Sequence, residues 1–181
     1  ALGNFLITGL AQVMGSEMAA LDEIGRLLGI QGRVIPMSNE PLDLEAEVLG
    51  LEEDPREVVA VRGQVAVAST LGEVRRVKLY PESPAASQEA VDAILDADLV
   101  SMGPGSWFSS VIPHLLVPGI VDALNRTEAV KALVLNLVPE PGETAGMSLE
   151  HHIHMVRQHC PSLQIDVVIV DLSTMPVAST R

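Results

Sequence analysis

Hydrophobic positions along this chain repeat at two different periods, and the switches between them divide it into segments. Over residues 2–13 and 18–28 apolar side chains recur every three to four positions, as on one face of a helix. Ser16 is placed to cap the second of these helices and Gly29 to stop it. Residues 33–37 (RVIPM) then predict a short strand, and 42–49 (LDLEAEVL) alternates apolar with polar as a half-exposed strand does. A charged turn (LEEDPRE, 51–57) leads into two further alternating stretches, 63–70 (GQVAVAST) and 73–81 (EVRRVKLYP), joined by a turn at Leu71-Gly72. This middle portion predicts a small antiparallel or mixed insertion of strands.

From Ser87 the pattern changes. Helical spacing over 87–97 gives way to a buried strand at 98–103 and then to a helical stretch at 109–125, broken by Pro113 and Pro118. A strand at 131–138, a helix at 148–159 and a strand at 163–171 follow, and residues 172–181 show no period, as in a linker. Strands that are apolar on both faces and alternate with helices predict a mainly parallel sheet covered by helices, an α/β three-layer sandwich. Ligands on such sheets bind beyond the carboxyl ends of the strands.

Composition narrows the function classes. With 48% hydrophobic and 19% charged residues in 181, the chain is a folded domain, or a large piece of one, with a sizeable core. The formal net charge of −13 and four aromatic residues argue against nucleic acid, which asks for a basic face and stacking platforms. No apolar run reaches the roughly 20 residues that cross a bilayer, so no direct membrane insertion is expected. A single cysteine, Cys160, fits a reducing compartment, and the expected location is cytoplasmic.

The candidate chemistry lies in two loops that follow neighbouring strands. Gly103-Pro104-Gly105-Ser106 separates the strand at 98–103 from the helix after it. Glycine admits a close approach of ligand to backbone, Pro104 stiffens the turn, and Ser106 is placed to cap the helix. N–H groups converging at a helix start make a cradle for an anion, by geometry and by the helix dipole. The turn is neither a dinucleotide fingerprint, because Phe108 stands where a third glycine would be, nor a P-loop, because no Gly-Lys-Ser/Thr follows. An ordinary tight turn is the other reading, and both stay open here. The second loop, 136–146 (NLVPEPGETAG), groups Asn136, Glu140, Gly142, Glu143 and Thr144 at the same sheet edge. Its carboxylates suit a ribose hydroxyl, a second substrate or a Mg2+ ion held mostly by water and phosphate; alternatively Glu143 and Thr144 begin the next helix.

The other reactive side chains carry less. His151, His152, His154 and His159 share one helix with Cys160 after them, but no HExxH spacing or third ligand is evident, so no metal site is assigned and a polar helix face is expected. Ser106 is not in a nucleophile elbow, and no catalytic residue is assigned. Trp107 is placed to flank a ligand ring or to pack half-buried.

These residues carry a family resemblance. The segment MGPGSWFSSVIPHLLVPGI resembles the L-G-P-G-S-L-Y-T-S-V-I-P-N-L-L-V of the YvcK/CofD-like family, NLVPEPGET resembles its N-L-M-T-Q-P-G-E-T, and ALGNFLITGL its S-L-G-N-L-L-L-A-G-L. GRVIPMSNEPLDLEAEV is similar to its next strand pair, and GPGSWF with EPGETAG resembles the actinobacterial branch. The resemblance covers nearly the whole chain, in order. Glu140 stands for the usual glutamine, and Trp107-Phe108 for Leu-Tyr. Family members open with a Gly-Gly-Gly-Thr-Gly loop that also contacts the nucleotide, so the expectation is a single domain, residues 1–181, truncated at its N-terminus and at its C-terminus.

The resemblance implies a Rossmann-like fold with a nucleotide site at the ends of the parallel strands. In the YvcK-type gluconeogenesis factors that ligand is a UDP-sugar such as UDP-N-acetylglucosamine, and the role is regulation of cell shape and peptidoglycan synthesis, which makes peptidoglycan-synthesis proteins expected partners. In the 2-phospho-L-lactate transferases a phospholactyl group moves from a GDP-linked donor to a deazaflavin, with Mg2+. The first branch is the expectation, with Gly103, Pro104, Gly105 and Ser106 on the diphosphate, Asn4 and Asn136 orienting ribose, sugar or a neighbouring loop, and Gly142, Glu143 and Thr144 completing the pocket. A protein-binding role with packing turns is the third reading. Sheets of this class often dimerise, so a homodimer is one candidate assembly, though no interface signature is evident in the sequence.

Overall fold

In the computed structural model the described residues are 2–138 and 147–171. The chain opens with two helices, α1 (Leu2–Met14) and α2 (Glu17–Leu28), packed on each other. Ser16 caps α2 by accepting the Ala19 N–H at 3.2 Å, and Gly29 closes it in the left-handed region at φ +64°, as the sequence predicts. α1 buries no residue, and Phe5, Leu6, Leu27 and Leu28 of the pair lie exposed.

Three antiparallel strands follow: β1 (Asp43–Leu49), β2 (Val58–Arg62) and β3 (Glu73–Tyr80), in the order β2-β1-β3. Strict alternation along β1 sends Leu44, Ala46 and Val48 inward. On β3 the buried residues Val74 and Val77 are three apart, which alternation forbids in a regular strand. A register shift opposite Glu47/Val48 supplies the extra residue that turns both inward.

Two strand expectations in this region fail. Residues 63–70 hold a helix, α3 (Gln64–Ala68), and the strand lies just before it. β1 has only two edges, and β2 and β3 take one each, so the chain between them must cross over β1 and cannot join its ladder. The Gly63 N–H donates to Leu44 O at 2.6 Å where the ladder ends, and α3 then buries Val67. Residues 33–37 form no strand either. Ser87 holds that segment instead, donating its N–H to Met37 O and its hydroxyl to Pro36 O, and Pro36 has no N–H to give a ladder.

The remainder alternates as expected: α4 (Gln88–Leu95), β4 (Leu99–Met102), a π-helix (Trp107–Val111) continuing into α5 (Ile112–His114), α6 (Pro118–Arg126), β5 (Val130–Val134), α7 (Leu149–His159) and β6 (Val167–Ile169). β4, β5 and β6 pair in parallel in that order. The α/β class is therefore as predicted, with a parallel sheet and an antiparallel one. The parallel strands are not covered along their whole length, as the sequence suggested. Met102, Ala132 and Leu133 are buried while Leu99, Val130, Val167 and Ile169 are exposed, and β4 has no second strand neighbour among the described residues. One core joins the two sheets through the π-helix, where Trp107, Phe108, Val111 and Ile112 meet Leu44, Val77 and Leu79 of the antiparallel sheet and Leu133, Met155 and Val156 of the parallel half. Among the described residues no single helix is long and apolar enough to cross a membrane.

Candidate nucleotide site

β4 and β5 end side by side, with Met102 opposite Leu133, so the chain leaving β4 turns directly over the end of β5. Gly103 makes that turn at φ +82°, and a Cβ there would stand 2.5 Å from Val134 O. Both facts demand glycine: the backbone lies in the left-handed region and rests against a neighbouring carbonyl. The Gly103–Pro104 peptide is cis, and Ser101 donates its hydroxyl to Gly103 O at 3.0 Å. At Gly105 the space is open, with Ser110 Cβ at 3.9 Å as the nearest atom a Cβ would meet.

The turn is held from the second loop. Asn136, two residues past β5, accepts the Gly105 N–H on Oδ1 at 2.9 Å and donates Nδ2 to Gly105 O at 3.0 Å. One side-chain amide thus satisfies both backbone groups of Gly105. Of the roles the sequence left open for Asn136, the one seen here is the grip on a neighbouring loop. It also removes the Gly105 N–H from the expected set of phosphate donors, leaving N–H groups of the residues after it at the start of the helix. Pro104 has no N–H.

Ser106 precedes the π-helix but makes no side-chain cap to it, contrary to expectation; its hydroxyl meets that of Ser109. The Ser110 and Val111 N–H groups both converge on Ser106 O, at 2.9 and 3.0 Å, so Ser106 engages the first turn through its backbone carbonyl. A π-helical turn is rare and frequently marks a functional site. Trp107 is 2% exposed and meets the His152 ring edge-on with centroids 4.9 Å apart, so its place is in the core and not against solvent. Its indole N–H is buried without a hydrogen-bond partner among the described residues.

The other expected site residues divide. Asn4 is exposed on α1, which packs on α2, and no hydrogen bond joins it to the turn among the described residues. Gly142, Glu143 and Thr144, with Glu140, lie outside the described residues. Among the histidines, His152 donates Nδ1–H to Ser148 O and His159 to Met155 O, each four residues back at 2.8 Å. His159 Nε2 accepts the Val77 N–H at 3.2 Å, and burial, the largest influence, pushes its pKa below the ordinary imidazole value. His159 therefore pins α7 to the outer edge of β3, remote in role from the glycine turn.

With this arrangement in view, comparison with known proteins is decisive. The profile of the family described as 2-phospho-L-lactate transferase CofD matches residues 1–181. This chain belongs to the CofD family. A Mycobacterium tuberculosis protein named "Putative gluconeogenesis factor" is 55% identical over 99% of this chain and 53% of its own length. The "Gluconeogenesis factor" of Bacillus subtilis is 31% identical over 97% of this chain and 53% of its own. A crystal structure of a UPF0052-family protein from Bacillus halodurans superposes with a TM-score of 0.83 at 31% identity, over 99% of this chain and 55% of that one. The chain spans about half the length of the relatives it matches.

Two features of this CofD-family site were not legible in the sequence. Ser109 reads as an ordinary helix position, and its hydroxyl contact with Ser106 shows only in the structure. Asn136 was a candidate, but nothing in the chain tells an amide that grips a backbone from one that grips a ligand.

Proposed function

We propose that this CofD-family chain binds a nucleotide-sugar, UDP-N-acetylglucosamine, with the diphosphate at the Gly103–Ser106 turn, and serves as a cytoplasmic regulator of cell shape and peptidoglycan synthesis during gluconeogenic growth. The observation that carries this reading is the Asn136 brace. A glycine turn at the carboxyl end of a parallel strand, locked at both backbone groups of Gly105 by the next strand's loop, supports a preorganised phosphate site better than a turn that only reverses the chain. The relatives named gluconeogenesis factor favour the regulatory branch.

The family description favours a second reading, transfer of a phospholactyl group from a GDP-linked donor to a deazaflavin with Mg2+. Calorimetric titration of UDP-N-acetylglucosamine and of GDP, each with and without Mg2+, into the intact protein separates the two. Saturable binding of the UDP-sugar alone supports the regulatory reading. Preferential, Mg2+-dependent binding of GDP supports the transferase. Binding of neither removes both and leaves the turn a packing device.

A further inference from the structure

β3 has no further strand on its outer edge among the described residues. A side chain from α7 occupies that edge instead. His159 Nε2 accepts the Val77 N–H at 3.2 Å, while Nδ1 donates to Met155 O at 2.8 Å. We propose that His159 is a proton-operated latch: neutral, it holds the C-terminal end of α7 on β3, and protonated, it lets that end go while the rest of the domain stays folded.

The ring's two bonds have opposite senses. Nδ1 donates within its own helix and Nε2 accepts from the strand, a combination open only to the neutral imidazole. Protonation sets Nε2–H against the Val77 N–H, two donors face to face, and leaves both without an acceptor. The bond to Met155 O survives this change. The loss therefore falls on the link between α7 and β3 and not on the helix itself.

The surroundings do not rescue the charged ring. The ring is half-buried, which disfavours a charge, and Arg76, next to Val77 on β3, adds its own positive charge to the penalty. Lys78, on the other side of Val77, is committed to Glu47. His159 also lines a crevice of about 450 Å3, which gives water a path to it. Across that crevice α6 contributes Asp122, already paired with Arg126 at 3.0 Å, and the turn before α6 contributes Leu115 and Leu116, which carry no charge. Cys160, the next residue, has its thiol buried. None of these groups offers a free carboxylate to hold an imidazolium in place.

The release is local because the other contacts do not depend on the ring. Met155 and Val156 anchor α7 in the core, at 3% and 1% exposed, and His152 stays against Trp107 nearer the start of the helix. β3 keeps its ladder to β1.

Amide hydrogen exchange of the intact protein, followed by NMR from pH 5 to 8 with the His159 ring titrated in the same samples, tests the latch. After correction for the intrinsic pH dependence of exchange, protection of the Val77 amide should be steady above about pH 6.5. Below that it should drop about tenfold per pH unit until the lower folded pKa of His159 is reached. The β1 amides should keep their protection throughout. His159→Gln retains an uncharged acceptor, and its Val77 profile should be flat. Val77 protection that does not change as the ring titrates overturns the latch. So does an equal loss in the β1 amides, which is global unfolding, and so does the same acid loss in His159→Gln. If the variant does not fold, the wild-type comparison of Val77 with β1 decides the matter by itself.

Discussion

Asn136 offers the most direct test of how the turn is held. Its amide makes two hydrogen bonds to Gly105, at 2.9 and 3.0 Å, between partly buried groups. At about 0.5–1.5 kcal/mol net per bond, discounted for partial exposure, Asn136→Ala should destabilise the fold by about 1–2 kcal/mol. With a urea slope of about 2 kcal/mol/M, the midpoint should fall by roughly 0.5–1 M at unchanged slope. Asn136→Asp makes a sharper probe, because it keeps the acceptor for the Gly105 N–H but turns an ionised oxygen toward the Gly105 carbonyl. Near neutral pH the Asp variant should therefore be less stable than the Ala variant. That repulsion raises the folded-state pKa of the new carboxyl above its unfolded value, near 3.9. The sign then follows: protons favour the folded state, so the deficit relative to wild type shrinks as pH falls below the folded pKa, where a protonated carboxyl can donate to Gly105 O, and grows as pH rises through it. Urea unfolding of the three proteins from pH 4 to 7.5 measures this. An unshifted midpoint for Asn136→Ala, or an Asp variant that tracks the Ala variant at every pH, would refute the brace.

Gly103→Ala should cost more, about 2–4 kcal/mol, because a Cβ 2.5 Å from Val134 O meets backbone and φ is +82°; thermal unfolding checks it, and Gly105→Ala, with open space, should be milder. His159 is held neutral by burial with Nε2 accepting from Val77, so its contribution is complete above the unfolded pKa near 6.5 and is lost as pH falls from there toward the lower folded value. His159→Ala should flatten that part of the stability–pH curve and remove about 1–2 kcal/mol at pH 7.5. Ser87 is 1% exposed, caps α4 through the Ala90 N–H and ties down Pro36 and Met37, so Ser87→Ala should lower stability by about 1–3 kcal/mol in denaturant melts. Phe108 is fully buried at the junction of the two sheets, and Phe108→Leu should lower the melting temperature while leaving the far-ultraviolet spectrum native-like.

The chain's own pattern determined the element types wherever a local signal was sufficient. Ser16 and Gly29 bound α2 because capping is a matter of a few adjacent residues, and the alternation of β1 survived because its two faces see different surroundings. The parallel direction of the second sheet and the class of fold followed from strands alternating with helices, while its order β4-β5-β6 came from the tertiary structure. Tertiary structure decided what depends on partners distant in sequence. Residues 58–62 and 63–70 each hold three β-branched residues, and the first became a strand on β1 while the second, with both edges of β1 taken, became a helix. Residues 33–37 lost their strand to Ser87, some 50 positions on. Asn136 became a brace because β4 and β5 finish together, a fact of register, and the π-helical turn carries Trp107, Phe108 and Val111 into one core. A local sequence sets propensity and caps; which backbone groups are already satisfied, and by whom, is settled only when the long-range pairs form.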